Sequence, residues 1–415
     1  MIIRRLFCVI LIPILFAGCS RSGPEAAKKG VSPPAFHIDG AAANDAARFL
    51  AGLPGRKSSP FHQFEQNAAW RAYANEFQSK WNDLKATQIA AVSTFQQREI
   101  APALARSKSS YVFYPFSGPD ILYLKTFFPG SSISVLVGLE PVGNLPSPHS
   151  FSSGDLNADL QGWRIGIASL YKRTFFVTSE MDRQFRGRVA DGLLPMIAML
   201  LARTGHTIDA IRFIRLGEKG EPLNEDESKP LDENGKKHKH QGVEIVYRLA
   251  GDSVTRRLYY FSTDMAKFGA NLPFQAFLKS LGRADTFIKS ASFLLHWRMC
   301  DDVRAFILEN SNMILEDDTG VPYNFFKRGK WQTVLFGQYS RPDRPFKKEH
   351  QPDLEKAFAD RQRVRPLGFS LGYGSGRRPS HLLLAMRTPE TVAVKPMAPI
   401  REMKEKEARI KQVLD

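Results

Sequence analysis

Tyr111-Val112-Phe113-Tyr114-Pro115-Phe116, then Ser117-Gly118-Pro119-Asp120, then the apolar run from Ile121 to Phe128, is the stretch that decides how this chain folds. The first six residues are β-rich, the next four make a loop of small and turn-forming residues, and the apolar run has helical length before Pro129-Gly130 closes it. Ile133 to Leu139 follows as a second strand of the doubly buried type, ending at Glu140-Pro141. Strand, loop, helix and strand predict a right-handed βαβ unit, which needs a sheet with helices on its faces.

Working outward, Ser59-Pro60 opens a helical region. Trp70, Tyr73, Phe77, Trp81, Leu84, Ala91 and Phe95 recur at spacings of three and four until Pro102 stops the pattern. Beyond the βαβ unit, Leu156, Leu160, Trp163, Ile167 and Leu170 mark another helix. Ser179 with Asp182 opens one that kinks at Pro195 and ends at Gly205. Thr207 to Leu216 reads as a strand, and Val243 to Leu249 with Arg257 to Phe261 as an antiparallel hairpin; the polar stretch between Gly217 and Gly242 reads as an exposed loop. A short helix follows Pro273 and ends at Gly282. Helical spacing then resumes through Phe287, Ile288, Ala291, Leu294 and Leu295, and continues with Val303, Phe306 and Ile307. Met313 begins a strand that runs into a turn. Trp331 to Gln338 is a strand, and Leu367 to Tyr373 pairs with His381 to Met386.

The unit Tyr111 to Glu140 resembles the opening of class I methyltransferases and related Rossmann-like folds. The resemblance implies that Gly118 stands for the cofactor-loop glycine and Glu140 for the acid that holds ribose hydroxyls. The fold expected is therefore α/β, a Rossmann-like βαβ core with an N-terminal helical segment and an antiparallel C-terminal β extension. The edge formed by Tyr114, Ser117, Gly118, Asp120 and Glu140 is the candidate functional site. It is not expected to hold a nucleotide, because Pro119 removes a backbone donor and the loop has one glycine; no cofactor is predicted. Asp120 also reads as the cap of the helix it precedes.

Other chemistry-bearing spacings are weaker. Cys300 near His296 has the types of a thiolate pair, but no acid or oxyanion loop is recognisable beside it. His238 and His240 share one side of an extended segment without a third ligand, so no metal is expected. Asp318-Thr319-Gly320 matches half of an aspartic-protease pair and reads as a turn. Gly368-Phe369-Ser370-Leu371-Gly372 matches a nucleophile elbow but lacks the helix that should follow. Arg377 and Arg378, in a glycine loop, are a possible anion contact.

At the amino terminus, Arg4-Arg5 and an apolar run end in Leu15-Phe16-Ala17-Gly18-Cys19. This resembles the signal peptide and lipobox of bacterial lipoproteins, which implies lipidation of Cys19 and, with Ser20 rather than Asp after it, sorting to the outer membrane. Removing residues 1–18, which carry two arginines and no acid, lowers the formal charge from +16 to +14. That excess favours anionic envelope components as partners, alongside membrane lipid through Cys19; nucleic acid is not expected in that compartment. The organisation read from composition is a leader (1–18), a flexible tether (19–45), a helical segment with the α/β core (46–270), an α+β part (271–388) and a charged tail (389–415). The function predicted is a non-catalytic binding or scaffold module. The alternative is an exported hydrolase-like enzyme with its site near Ser117, Asp120 and Glu140.

Overall fold

The computed structural model describes residues 37–151, 156–172, 174–175, 192–225, 240–327, 329–374 and 379–388, all within the unit that spans Ala35 to Asp415. Cys19, His238, Arg377, Arg378, the Ser179–Asp182 cap and the charged tail lie outside the described residues.

The βαβ unit is present. β2 (Tyr111–Tyr114) and β3 (Ile133–Gly138) are parallel neighbours, with Val112 opposite Ser134 and Tyr114 opposite Leu136. All four residues of β2 are buried, as a strand covered on both faces requires. Its alternation shows in the packing. Tyr111 and Phe113 join the apolar cluster on one face of the sheet, Val112 and Tyr114 the cluster on the other. The connecting helix Ile121–Phe127 is capped by Asp120, whose Oδ1 accepts from the Tyr123 amide at 3.2 Å.

These two strands sit in the middle of a mixed twelve-stranded sheet. The other strands are β1 (His37–Asp39), β4 (His206–Leu216), β5 (Pro222–Asn224), β6 (Gly242–Leu249), β7 (Arg256–Ser262), β8 (Ala284–Ile288), β9 (Ser311–Glu316), β10 (Trp331–Gly337), β11 (Val364–Arg365) and β12 (His381–Arg387). The order is β1-β4-β6-β7-β3-β2-β8-β9-β12-β10-β11, with β5 on β4. The run β7-β3-β2-β8-β9 is parallel throughout, and antiparallel pairings flank it: β6 with β7 on one side, β12 with β9 on the other. Strands from both sides of residue 270 therefore belong to one sheet, an α/β architecture with helices on both faces. Helix Leu194–Arg203 and the N-terminal helices cover one face; helices Leu272–Ser280, Asp301–Asn310 and Pro352–Ala359 supply the core on the other.

Five expectations are corrected. Residues 37–45, assigned to the tether, form β1 and the start of helix Gly40–Leu50. Ala43, Ala46 and Ala47 are buried there against helix Leu194–Arg203, since small side chains bury by bringing backbones close rather than by bulk. Pro102 does not stop the N-terminal helical column. A π-helical turn at Gln96–Ile100, in which the Ala101 amide reaches back to the Gln96 carbonyl, lets the helix continue to Ser107. Pro195 lies in the first turn of helix Leu194–Arg203, where its missing N–H costs nothing, so it opens this helix instead of kinking it. The Phe287–Leu295 stretch is not one helix: Phe287 and Ile288 end β8, next to β2 at the centre of the sheet, and only Leu294 and Leu295 enter a short 3₁₀ turn. β12 pairs with β10 and β9, not with Leu367–Tyr373, which Gly372 at φ +65° bends into a short 3₁₀ turn.

Candidate functional site

The loops at the carboxyl ends of β2, β3, β7 and β8 enclose the candidate site, and the turn after β9 braces it. After β2 the chain turns through Phe116 and Gly118, both at positive φ. The amides of Ser117 and Gly118 donate to the Val137 carbonyl at 2.9 and 3.4 Å, and the Val137 amide donates to Ser117 Oγ at 3.1 Å. These are the N–H groups a phosphate would need in a Rossmann-type loop, and here they are used to tie the loop to β3. At the end of β3, the carbonyl of Glu140 accepts from the Tyr260 hydroxyl at 2.7 Å, and its carboxylate folds over Gly138. A Cβ on Gly138 would stand 2.5 Å from Glu140 Oε2, so the missing side chain makes that position possible.

The chemical centre is an ion pair. Lys289, the residue after β8, places Nζ 2.8 Å from Asp120 Oδ2, and the two residues are only 3% and 2% exposed. Tyr114 donates its hydroxyl to the same oxygen at 2.8 Å. Lys289 also donates to the Thr174 carbonyl and lies 4.3 Å from the centroid of the Tyr123 ring. Burial and the charge of Asp120 push the Tyr114 phenol well above its usual range, so it stays a donor. A buried lysine and carboxylate are tolerated only when each is also hydrogen-bonded, as both are.

The loop after Lys289 is strained. Ser290, Ser292 and Phe293 all have φ between 52° and 56°, a conformation that costs roughly 1–2 kcal/mol per non-glycine residue. Hydrogen bonds hold it. The Ser290 amide donates to Asp317 Oδ2 at 2.9 Å, its carbonyl accepts from the Tyr373 hydroxyl at 2.9 Å, and the Ala291 amide donates to Thr319 Oγ1 at 2.7 Å. Burial, then the charge of Asp318, raises the Asp317 carboxyl. Gly372 packs against it, with room for no side chain: a Cβ there would come within 2.5 Å of Asp317 Oδ2. The hydroxyl of Ser290 is buried and has no partner.

Between these loops lies a cavity of about 490 Å³, within the size range of small-molecule sites. Its walls are mostly apolar, from Phe116, Phe175, Met265, Leu294 and Phe346 among others, and Lys289, Asp120, Ser290, Glu140 and Asp264 are among its polar groups. Leu139 and Met299, 70% and 55% exposed, stand at its outer side. All five residues of the candidate edge (Tyr114, Ser117, Gly118, Asp120 and Glu140) line it.

The remaining candidates that fall among the described residues have structural partners. Cys300 is buried at the cavity wall and burial raises its thiol pKa, the opposite of what a nucleophile needs; His296 pairs with Glu349 at 3.4 Å. His240 stacks on Phe213 and pairs with Glu225 at 2.9 Å, and among the described residues no group of three acids, histidines or cysteines is disposed to hold a metal. Asp318-Thr319-Gly320 is a turn that braces Asp317. The Ser370 carbonyl accepts from Gln88 Nε2 at 2.7 Å, in a segment that is not a strand-to-helix elbow. Lys289, Ser290 and Asp264 were missed. The signal for the first two was Phe287-Ile288 running into Lys289-Ser290-Ala291-Ser292, an apolar pair followed by small residues, which repeats the pattern after β2. Comparison with protein-family models, curated proteins and solved structures finds no match.

Proposed function

We propose that this chain is an envelope lipoprotein, anchored through Cys19 to the outer membrane, whose folded body is a non-catalytic module that binds a small organic ligand in the sheet-edge cavity. The observation that carries the binding is the cavity itself, apolar in its walls and built around the sealed Lys289–Asp120 pair. The pair adds no net charge, so the ligand is selected by apolar fit and by hydrogen bonds to Ser290, Glu140 and Asp264. The Rossmann-like kinship extends, in this reading, to where the ligand sits: ligands of open α/β sheets bind outside the carboxyl ends of the strands. It does not extend to a nucleotide, since the Ser117 and Gly118 amides are already bonded to Val137. The basic balance of the chain supports anionic envelope components as additional partners.

The test is saturable binding of the uncharged fluorophore N-phenyl-1-naphthylamine. Wild type is expected to bind one equivalent, and Ala266→Trp, which fills the cavity from its wall, to lose it while keeping the same thermal midpoint. Equal binding by both proteins refutes the reading. Calorimetry with adenosylmethionine or a nicotinamide cofactor is expected to show no specific heat; micromolar binding lost in Glu140→Ala would move the protein to the enzyme class.

One observation favours the hydrolase alternative: Ser290 follows a central strand in a left-handed conformation with its hydroxyl unpartnered, as a presented nucleophile would. Against it, no histidine lines the cavity among the described residues. Labelling by a fluorophosphonate that is lost in Ser290→Ala would establish the alternative, and absence of labelling removes it.

A further inference from the structure

A second cavity, of about 500 Å³, opens at the other edge of the sheet, where β8 and β9 begin. Its lining includes Arg106, Arg283, Arg387, Asn312, Gln332 and Thr388, and none of its lining residues is an acid. Arg106 precedes β2, Arg283 precedes β8 and Arg387 ends β12, so three separate elements bring guanidinium groups to one place. Arg387 is pinned there. Its Nε and Nη2 donate to the carbonyls of Ser311, Leu308 and Glu309, and its guanidinium lies 4.7 Å from the Trp331 ring centroid. Arg106 and Arg283 have no carboxylate partner among the described residues. The Thr388 hydroxyl is buried and unpartnered.

Two arginines without a carboxylate partner and a third pinned to backbone carbonyls, around a void with no acid in its lining and an unused hydroxyl, have the chemistry of an oxyanion site, because guanidinium forks match the oxygens of a phosphate. We propose that this amino-edge cavity binds a phosphate-bearing group, held by Arg106 and Arg283 with Thr388 as a further hydrogen-bond partner, while the pinned Arg387 adds positive charge to the wall. The site is separate from the carboxyl-edge cavity and does not depend on what that cavity holds. Its phosphate comes either from a soluble phosphate ester or from a phospholipid headgroup. The acid nearest in sequence to Arg283, Asp285, is enclosed by Ser107 and Ser109 and, raised by its burial, opposes the phosphate less than an exposed carboxylate would.

The experiment titrates the full chain with inorganic phosphate and sn-glycerol 3-phosphate by calorimetry, and separately with vesicles of phosphatidylcholine with and without phosphatidylglycerol. Arg106→Gln/Arg283→Gln is compared with Lys347→Gln/Lys348→Gln, which removes the same charge at exposed positions elsewhere. Binding weakened about tenfold or more in the arginine variant and unchanged in the lysine variant is expected, since hydrogen bonds to a charged group are each worth that much. If the soluble phosphates show it, the ligand is a free ester; if only the anionic vesicles do, it is a headgroup. Absence of saturable binding to either, or an equal loss in the lysine variant, overturns the proposal.

Discussion

Asp120 does two jobs with one carboxylate. Oδ1 caps the helix Ile121–Phe127, and Oδ2 receives both Lys289 Nζ and the Tyr114 hydroxyl. Breaking such a pair from one side leaves a buried charge without its partner, which costs far more than the pair is worth intact. Lys289→Met is therefore expected to destabilise the protein by about 3–5 kcal/mol, and Lys289→Met/Asp120→Asn by clearly less. Denaturant midpoints of the two single variants and the double variant measure this; additive losses would mean that the two residues do not act as a pair. The sequence showed Asp120 both as cap and as candidate, because Ser-Gly-Pro-Asp before an apolar run has few other meanings. The apolar pair before Lys289 marks a strand end, but its role as the partner of Asp120 depends on β8 lying beside β2, a pairing between residues far apart in the chain that no local spacing encodes.

At the scale of elements, the helix Ile121–Phe127 buries a lysine. Lys125 donates to the Ser131 carbonyl and hydroxyl at 3.2 Å and lies 5.0 Å from the Tyr247 ring centroid. Burial, with the charge of Arg256 second, pushes its pKa down to about 7 from 10.5. The unfolded chain holds that proton up to the ordinary lysine range, so between pH 7 and about 10 the unfolded state binds more protons and this group makes stability rise with pH. His206, lowered to about 4 by burial, then by Lys125 and Arg256, adds a window of the same sign between about 4 and 6.5. The stability advantage of Lys125→Met over wild type is therefore expected to shrink by about 3 kcal/mol from pH 7 to 10. Paired denaturation curves at the two pH values read it, and a constant difference would place the wild-type ammonium in a solvated site. The same helix was legible because its length, cap and closing Pro129-Gly130 agree. β8 was not: its five residues are buried on both faces, so no period of two appears, and Phe287, Ile288 and Ala291 imitate helical spacing across the strand end. The Gly368–Gly372 segment misled for the opposite reason, apolar residues between glycines that bend it away from the sheet.

The described residues build one mixed sheet with a cavity at each end of its parallel strands, of comparable size, one mostly apolar and one rich in arginine. The α/β class could be read from one βαβ unit, whereas the flanking antiparallel strands and their order follow from pairings over long sequence distances. The proposed lipid anchor has its own test. Cys19→Ser is expected to leave an unprocessed precursor without a lipid label in metabolic labelling with palmitate, and normal cleavage of that variant would contradict it. The central claim, that the carboxyl edge is where this protein binds its ligand, is tested most directly by amide hydrogen exchange with and without saturating N-phenyl-1-naphthylamine. Slowed exchange at residues 117–120, 263–266 and 289–292 is the predicted result, since these segments enclose the cavity. Slowed exchange only elsewhere, or none while the probe is bound, would contradict it.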